Sequence, residues 1–307
     1  MKRNFLFLII YLFLISGLIA QESETEAQVT LNGFNFELSN IQIAKNSEIL
    51  KEGILKTTAT IKVGENEIKL KAGKPLAYTF ENSQISFAYL DEDTKLKFGA
   101  QEFLLLGGSK ISFATSYKGE LFIVSACLAN NAVVKSGDVQ IAAKALKSEN
   151  EFDIFFNKKG EVTALILDKE AKFKIGETDF SFAPHSKLSI DNGSVRSGIL
   201  AKTQAVNVNG LYKITVKGER NFASTIEFDY SGKISMVYCT GMNTIKVGGQ
   251  NISLKPDNYV SFDPASGKIK FAYLGAKSQL KVDGKMKAVD AGKQLEFDSN
   301  GNIIVAK

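Results

Sequence analysis

The sequence has no tryptophan, a single histidine, two cysteines and four prolines in 307 residues. One histidine cannot build a site with two imidazole ligands, and the cysteines complete no zinc-binding set. His185 lies in a loop between strand-like segments with no Ser or Asp motif beside it, so no histidine-assisted nucleophile is indicated. No glycine-rich loop leads into a helix, as phosphate-binding loops do. The sequence therefore argues against an enzyme and predicts no cofactor and no metal.

Helical periodicity is also missing, since no window outside residues 1–20 has apolar residues at i, i+3, i+4 and i+7. Residues 244–274 show instead apolar residues at every second position, which is typical of strands with one buried face. The alternating pairs there are Ile245/Val247, Ile252/Leu254, Val260/Phe262 and Ile269/Phe271. Turn-forming Gly, Pro, Asn and Ser residues separate these segments. The pattern predicts an all-β protein.

The same pattern recurs along the chain, marked by a glycine at each strand end at intervals of 31 to 39 residues. These glycines are Gly33, Gly64, Gly99, Gly137, Gly176, Gly210, Gly248 and Gly284. A second series marks hairpin turns, at Gly119, Gly160, Gly193, Gly232, Gly267 and Gly301. We expect one domain over residues 28–307, built as a tandem antiparallel meander or β-solenoid of about eight four-stranded units. An eight-bladed β-propeller stays open as the alternative. The predicted units are 28–57, 58–93, 94–131, 132–169, 170–203, 204–242, 243–277 and 278–307.

The N-terminus carries Lys2 and Arg3, an apolar run and small residues up to Ala20. This order predicts a secretory signal peptide at residues 1–20. An uncleaved anchor is disfavoured because residues 5–20 are fewer than the roughly 20 that a membrane span needs. Residues 21–27 are predicted to be a disordered acidic leader. We therefore expect an exported protein, periplasmic, cell-surface or secreted, with no transmembrane span after cleavage.

The net charge is +5, and it falls to +3 without residues 1–20. So small a charge argues against nucleic acid as a partner. Cys127 and Cys239 occupy the same strand end three repeats apart, too far for a disulfide if the repeats stack. We expect both thiols to be free and buried.

One lysine recurs at the same place in six repeats, directly before the last residue of the strand that leads to the glycine. Alternation points this side chain away from the buried face, so the six lysines would form an outward ladder, a hypothetical binding site for an anionic polymer. A solvated face that discourages edge pairing is the alternative reading. The lysine ladder consists of Lys62, Lys97, Lys135, Lys174, Lys246 and Lys281. Repeats 1 and 6 carry Thr30 and Asn207 there.

Phenylalanines mark the opposite, buried face of the strands. They are Phe87, Phe113, Phe156, Phe228, Phe262, Phe271 and Phe297. Ordinary core packing explains such a stripe. An inner apolar groove that carries a lipid or glycolipid is the alternative function.

Several hairpins combine an aromatic residue, an acid and a glycine. The carriers are Phe228-Asp229 with Gly232, Phe262-Asp263 with Gly267, and Phe297-Asp298 with Gly301. This pattern resembles the exported bacterial hairpin-repeat proteins of the MORN-like type, over nearly all of the chain. The resemblance implies a non-catalytic scaffold or binding module of the cell envelope. The partners we expect are an anionic glycan, lipopolysaccharide or envelope proteins.

Overall fold

The structure is a computed structural model that describes residues 24–44, 49–79, 81–218 and 224–307. All regular elements in these ranges are β-strands, which confirms the predicted class. The predicted signal peptide lies outside the described residues. The strands are β1 (Glu24–Leu31), β2 (Phe34–Ile43), β3 (Leu50–Leu55), β4 (Ala59–Val63), β5 (Asn66–Leu70), β6 (Pro75–Thr79), β7 (Ile85–Tyr89), β8 (Thr94–Phe98), β9 (Gln101–Leu105), β10 (Lys110–Thr115), β11 (Leu121–Ala126), β12 (Ala132–Ser136), β13 (Val139–Ala143), β14 (Ile154–Phe156), β15 (Val162–Ile166), β16 (Ala171–Ile175), β17 (Thr178–Phe182), β18 (Lys187–Asp191), β19 (Ser194–Gly198), β20 (Gln204–Val208), β21 (Tyr212–Val216), β22 (Ile226–Phe228), β23 (Ile234–Cys239), β24 (Asn243–Val247), β25 (Gln250–Leu254), β26 (Asn258–Phe262), β27 (Ile269–Tyr273), β28 (Ser278–Val282), β29 (Lys285–Val289), β30 (Gln294–Phe297) and β31 (Ile303–Ala306).

One long antiparallel sheet runs through the described chain. Its neighbouring strands, in order, are β1, β2, β3, β6, β7, β10, β11, β14, β15, β18, β19, β22, β23, β26, β27, β30 and β31. The edge strands β1 and β31 do not pair with each other, so the sheet stays open. The tandem meander or β-solenoid is therefore confirmed, and the propeller alternative is wrong.

The remaining strands form a row of short hairpins: β4–β5, β8–β9, β12–β13, β16–β17, β20–β21, β24–β25 and β28–β29. Each of these hairpins is followed in the chain by one hairpin of the long sheet, which gives the four-stranded repeat. The turn of β4–β5 shows why the recurring glycine is needed. Gly64 has a φ of 60°, in the left-handed region that a two-residue hairpin turn requires.

A β-bulge recurs in the long-sheet hairpins, from β6–β7 to β30–β31. In β7 the extra residue places Ile85 and Ala88, three positions apart, in the same buried core, while Phe87 between them faces outward. Phe271 of β27 is turned outward in the same way. The prediction of one buried phenylalanine stripe is therefore wrong for these two residues, because simple alternation does not allow for the bulge.

A single hydrophobic core lies between the long sheet and the short hairpins, from Leu31 to Ile303. It includes the other five phenylalanines of the predicted stripe: Phe113, Phe156, Phe228, Phe262 and Phe297. Phe156 of the long sheet stacks on Phe98 of a short hairpin with ring centroids 3.9 Å apart. Aromatic stacking thus joins the two layers directly.

The predicted disordered leader is corrected at its C-terminal end. β1 begins at Glu24, and Glu26 and Ala27 pair with Ser39 and Leu38 of β2. The acidic residues of the leader therefore extend an edge strand, where charge discourages pairing with another chain.

Candidate functional site

The six ladder lysines all lie at the fourth position of the first strand of a short hairpin, and all six are exposed. Their neighbours on either side point into the core, as Ile61 and Val63 do around Lys62. Alternation thus places the ladder on the outward face of the row of short hairpins.

Side-chain amides connect successive short hairpins at the ladder. Asn66 Oδ1 accepts the Lys97 backbone N–H at 2.8 Å, and Asn66 Nδ2 donates to the Lys97 carbonyl at 2.8 Å. Gln101 makes the same pair of bonds to Lys135 at 2.6 and 2.9 Å. Gln250 makes them to Lys281 at 2.5 and 3.3 Å. These amide bridges fix the backbone of three ladder lysines and leave their side chains free to point outward.

Acids stand directly across the hairpin from three ladder lysines in the N-terminal part of the row. The cross-strand pairs are Lys62–Glu67, Lys97–Glu102 and Lys174–Asp179. Lys97 also forms an ion pair with Glu65 in the preceding turn at 3.1 Å. Acids this close to exposed lysines add little stability, but their opposite charge lowers the local positive potential.

The C-terminal hairpins lack this compensation. Across from Lys246 stands Asn251, and across from Lys281 stands Met286. In β20–β21 the ladder position is Asn207, and Lys213 stands directly opposite it. Lys213 therefore fills the gap that the sequence left in the ladder. Among the described residues none of these three lysines forms an ion pair.

Sequence reasoning found the ladder positions and missed Lys213 and the amide bridges. Lys213 lies on the opposite strand of its hairpin, which a pattern confined to one strand position does not include. Asn66, Gln101 and Gln250 share a signal, since each begins the strand that follows a two-residue glycine turn. That position does not indicate that their side chains bond to the next repeat.

The other residues that the sequence singled out lie apart from the ladder. His185 is exposed in a turn with a φ of 58°, and its Nδ1 lies 2.6 Å from Lys144 Nζ. No group of three or more His, Cys, Asp or Glu residues suited to a metal ion occurs in the described ranges.

Both cysteines are free and buried, as predicted. Burial raises the pKa of Cys127 to about 11 and also raises that of Cys239, so both thiols stay protonated near neutral pH. Asp153 is completely buried, and its two carboxylate oxygens accept the N–H groups of Leu128 and Leu146 at 2.8 and 3.0 Å. Burial nevertheless raises the pKa of Asp153 to about 6.

Within the described part of the chain, no helix has the length and apolar character to cross a membrane. No protein-family model matches the sequence, and no curated protein is detectably similar to it. The resemblance to MORN-like hairpin repeats therefore stays a prediction.

Proposed function

We propose that this protein is an exported, non-catalytic binding module of a bacterial cell envelope. It holds an anionic polymer, an acidic glycan or lipopolysaccharide head groups, on the outward face of its short hairpins. The observation that carries the proposal is the position of Lys213, Lys246 and Lys281. They stand on three consecutive hairpins with no acid opposite.

The regular spacing of these lysines suits a repeating ligand. Two strand spacings of about 4.8 Å place one short hairpin about 10 Å from the next. Each lysine alone binds an anion weakly in water, whereas a polymer that reaches several lysines gains from their proximity. The amide bridge between Gln250 and Lys281 holds two of the hairpins in register.

Two variants with the same charge change test the proposal. Lys213→Ser, Lys246→Ser and Lys281→Ser together remove the uncompensated lysines. Lys62→Ser, Lys97→Ser and Lys174→Ser remove three lysines that stand opposite acids. With heparin as the probe at low salt, we expect the first variant to lose affinity about tenfold, or 1.4 kcal/mol. The second should lose much less. Equal losses would show that net charge alone governs binding.

A third variant tests whether removal of the opposing acids increases the affinity for heparin. Glu67→Gln, Glu102→Gln and Asp179→Asn would remove the acids that stand opposite the N-terminal lysines, while Lys97 keeps its ion pair with Glu65. We expect this variant to bind heparin more tightly, with a steeper loss of affinity as salt rises. An unchanged salt dependence would argue against the ladder.

The alternative of a lipid or glycolipid carrier receives no comparable support. Five of the seven phenylalanines assigned to its groove are packed in the core between the layers. Access to them would require the long sheet and the short hairpins to separate.

A further inference from the structure

A contact between turns recurs along the stack and links neighbouring repeats. The turn of a long-sheet hairpin packs its glycine against the turn of the short hairpin in the preceding repeat. A Cβ added at Gly160 would lie 3.0 Å from the Gly99 nitrogen, and one added at Gly193 would lie 2.9 Å from the Ser136 carbonyl oxygen. Between Gly119 and Gly64 this contact is missing, since in the described ranges no atom beyond the adjoining residues lies within 4 Å of a Cβ built at either glycine.

The contact between Gly119 and Gly64 is missing because the β10–β11 hairpin is longer than β14–β15. In β14–β15 the last pair before the turn is Phe156 with Val162. The equivalent pair in β10–β11 is Phe113 with Ile123, and two further pairs follow it. These are Ala114–Phe122 and Thr115–Leu121. At about 3.4 Å per residue, the extra pairs carry the turn about 7 Å farther out.

The longer hairpin leaves a cleft of about 460 Å³ against the turn of β4–β5, which we call the turn cleft. This is within the range of roughly 300–1,000 Å³ that small-molecule sites occupy. Its wall includes the apolar residues Val63 and Leu121. Leu121 belongs to an extra residue pair and is only half-buried against the core.

The polar part of the turn cleft is mainly basic. It has four lysines, Lys62, Lys97, Lys158 and Lys159, and two glutamates, Glu65 and Glu120. Glu65 is paired with Lys97 at 3.1 Å, and the Glu120 carboxylate lies 3.4 Å from the Ser116 hydroxyl. Lys62, Lys158 and Lys159 form no ion pair with any residue that the structure describes. The exposed ring of Tyr117 lies nearby, 5.7 Å from Lys158 Nζ.

We propose that the turn cleft binds a small amphiphilic anion, an apolar body that carries one phosphate, sulfonate or carboxylate group. The apolar body packs on Val63 and Leu121, and the anionic group is bound by Lys62, Lys158 and Lys159. Lys62 also belongs to the lysine ladder, but the turn cleft takes a different ligand and does not involve Lys213, Lys246 or Lys281, so it does not depend on the function proposed above.

Calorimetric titration of the full chain with octyl phosphate, below its micelle concentration, tests the site. Lys62→Ala, Lys158→Ala and Lys159→Ala together should weaken binding about tenfold. A control with Lys172→Ala, Lys202→Ala and Lys255→Ala changes the charge equally at exposed positions elsewhere and should bind as the wild type does. Equal losses in both variants, or no binding of octyl phosphate, would overturn the proposal.

Two further probes test the ligand class, and one deletion tests where the site lies. Inorganic phosphate and octyltrimethylammonium should each bind far more weakly than octyl phosphate, and comparable affinity of either would contradict an amphiphilic anion. Deletion of Ala114, Thr115, Leu121 and Phe122 gives β10–β11 the length of β14–β15 and should close the cleft. If that protein keeps the wild-type circular dichroism spectrum and still binds octyl phosphate, the site lies elsewhere.

Discussion

The long sheet and the row of short hairpins are built from the same kind of strand and are held together differently. Each hairpin of the long sheet bonds to the next through backbone groups, as β7 does to β10 and β11 to β14. The step between short hairpins is made at several places by one side-chain amide, as at Asn66, Gln101 and Gln250. Single bridges such as Leu70 with Leu90 join the two layers at strand ends.

The long sheet therefore provides stability, and the short hairpins provide the surface on which side chains are exposed. Backbone pairing is the same for almost any residue, so it makes the long sheet continuous through every repeat. The short hairpins rest on that sheet through the core. Their outward residues can therefore vary, and lysines with or without opposing acids fit the same backbone.

The largest effect is expected where the two layers share a buried ring. Phe156→Ala removes a side chain that is 3 % exposed and stacks on Phe98. We expect a loss of about 3–5 kcal/mol in the free energy of unfolding, because the short hairpin then packs on a cavity. Urea denaturation measures it.

The neighbouring residue provides a matched control. Phe155 is in the same strand but faces outward, with Lys187 Nζ 3.8 Å from its ring centroid. Phe155→Ala should cost only about 1 kcal/mol, the size of a partly exposed cation–π contact. Similar losses for the two variants would mean that the core between the layers is not what holds them together.

A second effect is expected from Asp153, which ends the connection between a short hairpin and the long sheet. Its pKa is about 6 in the folded protein against an ordinary value of 3.8, so folding favours the protonated form. Its contribution to stability therefore rises as the pH falls through 6 and is complete below about 4. The shift corresponds to about 3 kcal/mol.

Comparison with Asp153→Asn isolates this contribution from that of the other carboxylates. The difference in unfolding free energy between wild type and variant should move by about 3 kcal/mol in favour of the wild type from pH 7 to pH 3. Urea titrations at several pH values in that range measure it. A difference that does not change with pH would show that Asp153 keeps an ordinary pKa.

Much of the fold was predictable because it depends on alternation and on turn chemistry. The strands, the repeat and the outward position of Lys62 all follow from residues at every second position. Phe87 and Phe271 were misplaced, since a bulge changes alternation without a local sequence signal. The turn cleft and the amide bridges depend on contacts between repeats. A periodic sequence gives the spacing of such repeats but not which side chains meet across them.

The smallest effect is expected from the amide bridges. Gln101→Ala removes two bonds to the backbone of Lys135 and should cost about 1 kcal/mol of unfolding free energy, since such groups also find water when unpaired. Hydrogen exchange gives the sharper readout. The Lys135 amide should exchange faster, whereas the amide of Phe155, in the long sheet of the same repeat, should keep its protection.

Gln140→Ala serves as a control, because this exposed amide points outward beside the ladder. If the amides of Lys135 and Phe155 lose protection together in Gln101→Ala, the two layers open as one unit, and the short hairpins are not the separable layer that their bonding suggests.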